Sequence, residues 1–212
     1  RDLSQETNTA LIIDEMVTGF RVHPGGAQAH FGIQADIATY SKIAGGGLPL
    51  SLIAGKSRFM DHIDGGPWRY GDDSQPQVST TFFAGTFCKH PLALATAHAT
   101  LSRIKAEGGG LQAELNQKTV DLVNRLNGFT TDANLPVRFT QFGSFFAIAL
   151  TQSQLSPLAT NLLSYHLLNR GIHLRGGDKG GFLSTAHTPE DINKIYTAFC
   201  ESLTALHQAS YL

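Results

Sequence analysis

Two stretches of sequence decide the fold: TALIIDEMVTGFR at residues 9–21 and ADIATYSKIAGGGLP at residues 35–49. Each contains a short apolar run that is followed by a charged side chain. The first run is apolar on both faces, which is typical of a buried strand in a parallel sheet. Residues 15–36 lie between the two runs and are long enough for the crossover that a parallel pair requires. The sequence therefore predicts two parallel strands, one ending just before Asp14 and one, about 37–40, ending just before Lys42.

Asp14 and Lys42 are the informative pair of side chains. In open α/β sheets, ligands bind outside the carboxyl ends of the strands, so both residues are expected to face one crevice. A carboxylate and an amine in that position suit a pyridine-aldehyde cofactor, because the amine can bond to the aldehyde and the carboxylate can pair with the ring nitrogen. The alternative is a plain salt bridge at the strand ends, and spacing alone favours it.

The rest of the chain predicts an α/β region to about residue 108 and a smaller α+β region over residues 109–212. Apolar periodicity, Pro at helix starts and Gly at helix ends place the elements. The expected elements are a strand at 50–54, a mostly loop region at 61–85, a helix at 91–107, a helical stripe to about 126, β structure at 137–150 with a turn at Gly143, a helix from Pro157 to about Gly171, and a last helix capped by Thr188.

Composition excludes several classes of function. The 212 residues carry 16 basic and 17 acidic side chains, for a net charge of −1, which argues against an extended nucleic-acid or anionic-membrane surface. No apolar run is long enough to span a bilayer. Only 16% of the residues are charged and 22 are Gly, so we expect part of the surface to be covered by a partner or by further chain. The two cysteines form no framework, so a reduced, cytoplasmic setting is the default and both are expected to be buried.

These stretches carry a resemblance to a known family. The strand TALIIDEMVTGFR and the segment ADIATYSKIAGGGLP resemble the aspartate strand and the lysine segment of class III pyridoxal-phosphate aminotransferases. FAGTFCKHPLA at residues 83–93 is similar to their phosphate-binding threonine and the helix after it. GGAQAHFG at 25–32 and FLSTAHT at 182–188 resemble glutamate-1-semialdehyde aminomutases more narrowly. The implied fold is the second half of a fold-type I large domain followed by a small α+β domain.

The resemblance implies a role for each matching residue, with pyridoxal 5'-phosphate as the cofactor. Lys42 corresponds to the lysine that bonds to the cofactor and Asp14 to the partner of its ring nitrogen. Met16 falls where the family packs a side chain on the ring face, although many members have Val there. Thr86, beside Gly85, would bind the phosphate from across a dimer interface. Ser41 replaces the Gly of many relatives, and we expect little consequence.

A finer resemblance concerns the substrate. GPWRYGDDS at 66–74, with TTFF at 80–83, most resembles aminotransferase domains built into polyketide and peptide synthases. The implied reaction moves an amino group from an amino-acid donor to a carrier-bound, β-keto acyl chain. Arg58, Arg69 and Arg175 are candidates for holding a substrate carboxylate, whereas Arg21 is expected to be structural. None of the three lies in a motif for that task, which favours a carrier-bound thioester over a free acid.

Several alternatives remain open. The family's glycine-rich phosphate loop does not occur before Thr9, so we expect a C-terminal portion of a larger enzyme, incomplete as a catalyst on its own. A free aminomutase and a non-catalytic dimerisation half are the competing functions. A P-loop is excluded because Leu50 stands where its first Gly is required. Cys88 with His90 lacks the orienting third group of a thiol hydrolase, and the histidines lack the spacing of a metal site.

Overall fold

The computed structural model describes residues 1–174 and 180–212, which fold into two compact units, Arg1–Gly109 and Gly110–Leu212. Both units mix helices with a small sheet, which confirms the mixed α/β expectation. No helix among these residues is long and apolar enough to cross a membrane.

The first unit is built on a three-stranded sheet in the order β1-β2-β3. Its elements are α1 (Asp2–Glu6), β1 (Ile12–Glu15), α2 (Gly26–Phe31), β2 (Ile37–Tyr40), a 3-10 helix (Lys42–Gly45), β3 (Leu52–Gly55), α3 (Ser57–Asp64) and α4 (Pro91–Glu107). Strands β1 and β2 are parallel, as predicted, and β3 runs antiparallel to β2. Two details differ from the prediction. Asp14 lies inside β1 rather than beyond its end, and α3 occupies part of a region read as loop.

The two faces of this sheet are covered unequally. Side chains alternate between faces along a strand, so Ile12 and Asp14 share one face, while Ile13 and Glu15 share the other. On the first face Ile12 remains 62% exposed, whereas Glu15 on the second is fully buried. The expectation that β1 is buried on both faces is therefore wrong for the described residues, which cover only the Glu15 face.

A buried carboxylate fastens the ends of the strands that lie away from Lys42. Asp36, just before β2, is 1% exposed and accepts a hydrogen bond from the backbone N–H of Leu11, with an N···O distance of 2.9 Å. Arg1 donates to both of its oxygens, at 2.6 and 3.2 Å. Lys56 Nζ lies 2.7 Å and an Arg58 guanidinium nitrogen 3.4 Å from Oδ1. The hydrogen bonds from Arg1, Leu11 and Lys56 hold the pKa of Asp36 well below its ordinary range.

The second unit packs three helices against an antiparallel sheet in the order β4-β5-β6. Its elements are α5 (Gly110–Asp132), β4 (Phe139–Phe142), β5 (Phe145–Ile148), a 3-10 helix (Leu150–Gln152), α6 (Pro157–Asn169), β6 (Gly181–Phe182) and α7 (Pro189–Gln208). Gly143 makes the β4–β5 turn with φ +59°, and Thr188 caps α7 in a reciprocal pair with Asp191, both as predicted. The core of this unit centres on Phe146, Phe199 and Leu122, each at most 2% exposed.

Replacing Asp36 with Asn should destabilise the first unit in a pH-dependent way. Because the fold lowers the pKa of this carboxyl, its stabilising contribution is present above the ordinary Asp pKa of about 3.9 and is lost as the pH falls below it. Asp36→Asn should therefore lower the thermal unfolding midpoint at pH 7, and the gap to the parent should narrow towards pH 3. Asp73→Asn is the matched control, since Asp73 is exposed and forms no ion pair within the described residues. An equal gap at both pH values would contradict this account.

Candidate active site

Asp14 is held at the end of β1 with one carboxylate oxygen engaged. It lies directly opposite Thr39 in the parallel register. Its Oδ1 accepts hydrogen bonds from the Met16 backbone N–H at 2.8 Å and from the Thr39 hydroxyl at 3.4 Å. The side chain is exposed, and no described residue bonds to Oδ2. The local bonds therefore fix the orientation of the carboxylate and leave one oxygen available to a ligand.

Lys42 begins a 3-10 helix directly beyond β2, three residues after the partner of Asp14. Its backbone has φ +49°, a left-handed conformation that residues with a side chain seldom adopt. Strain of this kind concentrates at functional sites. The side chain is exposed, and within the described residues neither Lys42 nor Asp14 takes part in an ion pair. The plain salt-bridge interpretation is therefore wrong.

The backbone around Lys42 is fastened on both sides. Before it, the Ser41 hydroxyl donates to the Leu50 carbonyl at 2.6 Å. After it, the Thr96 hydroxyl on α4 donates to the Gly45 carbonyl at 2.9 Å. Gly46 follows at φ +60°, where a Cβ would lie 2.8 Å from the Thr96 carbonyl oxygen. The Ser41 hydroxyl thus closes the Lys42 loop with a bond that a glycine at this position would lack.

Sequence reasoning missed the buried polar group beside Asp14. The Glu15 carboxylate accepts hydrogen bonds from the Thr18 hydroxyl and from the backbone N–H groups of Ala27 at 3.0 Å and Gln28 at 2.8 Å. The Gln28 side-chain amide then donates to the Tyr40 hydroxyl at 3.1 Å. The signal was a charged residue continuing an apolar strand beyond Asp14, followed by the Gly-Gly turn that lets the chain return.

Of the other predicted site residues within the described part of the chain, Met16 hydrogen-bonds to Asp14, whereas Thr86 and Gly85 do not. Met16 is half-buried, and its backbone contacts Asp14. Thr86 and Gly85 lie on an exposed turn shortly before α4, where the Cys88 N–H donates to the Gly85 carbonyl at 3.0 Å. Within the described residues, no hydrogen bond joins Thr86 to Asp14 or Lys42. Cys88 is itself exposed, contrary to the expectation that it is buried.

The candidate arginines differ in how far each is available to a substrate. Arg58 is committed, since it contacts Asp36 and lies over the Phe59 ring at 4.6 Å. Arg21 is half-buried, and burial lowers its pKa. Arg69 is exposed, and its guanidinium bonds to nothing in the part of the chain that the structure describes. Arg175 lies outside the described residues.

The donor set fits a pyridine-aldehyde group better than a metal. An exposed carboxylate with one available oxygen lies on β1, and an exposed, unpaired amine lies just beyond the end of the neighbouring parallel strand β2, as a ring nitrogen and an aldehyde would need. By contrast, residues 1–174 and 180–212 contain no group of three His, Cys, Asp or Glu side chains able to hold a metal ion.

Comparisons with known proteins agree with this reading. The model of the family described as aminotransferase class-III matches residues 1–188. The glutamate-1-semialdehyde 2,1-aminomutase of Alkaliphilus oremlandii is 31% identical over 98% of this chain and 47% of its own length. The enzyme of that name from Nitrosopumilus maritimus is 32% identical over 94% of this chain and 46% of its own. The chain therefore spans about half the length of the curated relatives it matches.

Solved structures share the fold. An omega-transaminase from Sphaerobacter thermophilus superposes with a TM-score of 0.79 at 25% identity, covering 96% of this chain and 46% of that one. A transaminase solved with PLP bound gives a TM-score of 0.81 at 23% identity, covering 99% and 47%. The family match confirms pyridoxal 5'-phosphate, the cofactor that the sequence resemblance implies. The chain belongs to the class-III aminotransferase family.

Proposed function

We propose that Asp14 and Lys42 form the catalytic pair of a pyridoxal-phosphate-dependent aminotransferase. The observation that carries the proposal is the available Asp14 oxygen and the unpaired Lys42 amine at the ends of adjacent parallel strands. A dimerisation scaffold without catalysis would have no use for that pair. Because the chain spans about half of its relatives' length, the proposal and its tests concern the holoenzyme.

The residues divide the chemistry between them. When bound, the cofactor supplies an aldehyde carbon for the amino group and a ring that accepts electrons. The available oxygen of Asp14 would hold the ring nitrogen protonated, while Thr39 and the Met16 N–H hold the carboxylate in place. Lys42 Nζ would hold the cofactor through its aldehyde carbon and, as a free amine once the substrate's amino group has replaced it there, would take the proton that leaves the substrate's carbon. Its left-handed backbone and the two flanking hydrogen bonds restrict where that amine can reach.

Asp14→Asn should impair catalysis without removing the fold. The amide keeps the shape of the side chain but lacks the charge that favours a protonated ring nitrogen. We expect kcat to fall by about 10²–10³-fold, the loss seen when one preorganised electrostatic partner is removed. Asp132→Asn, the same change on an exposed aspartate of α5 in the other unit, should leave kcat unchanged. Near-parental turnover in Asp14→Asn with cofactor bound would refute the assignment.

We also propose that Thr86 completes the phosphate site of a second copy of the chain in a homodimer. Every residue from 79 to 92 is exposed, including Phe82 at 92% and Phe87 at 69%. Monomeric proteins seldom leave such an apolar segment uncovered. Gly85 permits a close backbone approach to a phosphate, and α4 begins five residues after Thr86, adding the positive end of a helix dipole.

A subunit-mixing experiment tests this shared site. Lys42→Ala and Thr86→Ala homodimers should each be impaired. The first lacks the amine that bonds to the cofactor, and the second retains the cofactor poorly. If the two residues of one site come from different chains, a mixed dimer has one site with both residues intact. After complete exchange of equal amounts, activity should rise towards a quarter of the parental value, because half of the dimers are mixed and each has one intact site of two. No recovery, with exchange verified by mass, would contradict the shared site.

For the acceptor, we propose a β-keto acyl chain carried as a thioester, with a free amino acid as donor. Two features support it. Arg58 lies 3.4 Å from Asp36, which makes it less available to a substrate carboxylate. The two ends of the loop over residues 65–78 are joined by a hydrogen bond from the Gln77 N–H to the Gly65 carbonyl at 2.8 Å. Tyr70, within this loop, is almost fully exposed. Residues 65–83 would line the entrance for a pantetheine arm, and exposed Arg69 would contact the donor's carboxylate.

The second candidate is a glutamate-1-semialdehyde 2,1-aminomutase, which the names of the curated relatives favour. Competing the two substrates decides between them. With a free amino donor, the holoenzyme should aminate a β-keto acyl carrier protein with a kcat/KM at least about tenfold above that for free glutamate-1-semialdehyde, a difference of about 1.4 kcal/mol. Faster conversion of the free semialdehyde would establish the aminomutase instead.

A further inference from the structure

A chain of hydrogen bonds links the strand that carries Asp14 to the strand that leads to Lys42. It starts at the fully buried Glu15, whose carboxylate holds the backbone N–H groups of Ala27 and Gln28. It continues through the Gln28 side chain, which accepts from the Ala35 N–H at 2.8 Å and donates to the Tyr40 hydroxyl at 3.1 Å. We name Glu15, Gln28 and Tyr40 the cross-strand link.

The link lies on the opposite face of the sheet from Asp14. Glu15 and Tyr40 are partners in the parallel register, as Asp14 and Thr39 are one residue earlier. Because side chains alternate between faces, the link is displaced from the cofactor face and need not touch any ligand there. Any effect of the link on the site therefore passes through the backbone of the two strands.

Tyr40 is fixed in three ways. Its hydroxyl is bonded to Gln28, its ring packs against Phe20 with centroids 5.5 Å apart, and Gly19 lies so close that a Cβ there would sit 2.6 Å from Tyr40 Cδ1. Burial, with the Glu15 carboxylate, raises the pKa of Tyr40, so the hydroxyl stays neutral. Since Lys42 follows two residues later, a fixed Tyr40 limits where the lysine's left-handed turn can begin.

From this arrangement we propose that Gln28 and Tyr40 are positioning residues, which set the distance between the Asp14 carboxylate and the Lys42 amine. The proposal rests on the proposed function of that pair. Each member has a separate task. Glu15 locks the returning chain onto the end of β1, Gln28 spans to β2, and Tyr40 transmits the constraint to the lysine.

Tyr40→Phe is the sharpest test, because it deletes one hydroxyl and keeps the ring that packs on Phe20 and Gly19. The matched control is Tyr165→Phe, the same deletion on an exposed tyrosine of α6 in the other unit. For each holoenzyme we would measure the rate of cofactor release after dilution, the visible circular dichroism of the bound cofactor, kcat and KM. The thermal midpoint of each apoprotein reports stability separately.

Tyr40→Phe should speed cofactor release and lower kcat by roughly tenfold, the factor that one ordinary hydrogen bond is worth. The visible circular dichroism should weaken, since it reports the orientation of the bound ring. KM should stay near that of Tyr165→Phe, and the apoprotein's thermal midpoint should fall by no more than the few degrees that the loss of one hydrogen bond predicts. In a double-mutant cycle, adding Tyr40→Phe to Gln28→Met should change cofactor release little further, because both changes break the same link.

Two results would overturn the proposal. One is a Tyr40→Phe holoenzyme whose rate of cofactor release, visible circular dichroism and kcat all equal those of the parent. The other is a lowered apoprotein midpoint with unchanged release and dichroism, which is the pattern of a purely structural hydrogen bond. The proposed function is tested separately by Lys42→Ala. If that variant still forms a borohydride-trapped cofactor adduct at the same site, the function fails. If it does not while Tyr40→Phe behaves as the parent, only the cross-strand link fails.

Discussion

The parallel pairing of β1 with β2 is the constraint on which the first unit depends. A parallel pair needs a long crossover, and this one returns over the Glu15 face of the sheet. A carboxylate buried there is costly unless its oxygens are satisfied. Glu15 meets this requirement by accepting from Thr18 and from two backbone N–H groups at the start of α2. The bonds that permit its burial therefore also hold the crossover against the strands.

The two ends of the sheet are fixed by different physical means. At the Asp36 end, a single carboxylate is surrounded by cationic side chains, among them Arg1 and Lys56. At the Lys42 end, fixation relies on neutral hydrogen bonds from hydroxyl and amide groups, such as that of Ser41. This division keeps the cations around Asp36 away from the reactive pair, and the buried Glu15 carboxylate at the Lys42 end lies on the opposite face of the sheet from Asp14. Cations as close to Asp14 as those around Asp36 would compete with a ring nitrogen for its carboxylate.

The site is made of groups that the fold leaves unsatisfied. Asp14 keeps one oxygen available and Lys42 keeps its amine unpaired within the described residues. The left-handed backbone of Lys42 adds local strain that the surrounding hydrogen bonds maintain. An unpaired, strained lysine beside an oriented carboxylate differs from a structural ion pair, which would satisfy both groups.

The sequence by itself determined the parallel strands, the α4 and α7 helices, the Gly143 turn and the placement of Asp14 and Lys42 at one edge, because these follow from local periodicity, caps and strand order. The family resemblance added the cofactor. Only the tertiary structure decided the rest. It showed that Arg58 pairs with Asp36, that the Ser41 hydroxyl bonds to the Leu50 carbonyl, and that the Gln28 side chain bonds to Tyr40. Each of these contacts joins residues 9 to 22 positions apart, and local sequence pattern does not encode such pairs, since they depend on how the strands are brought together.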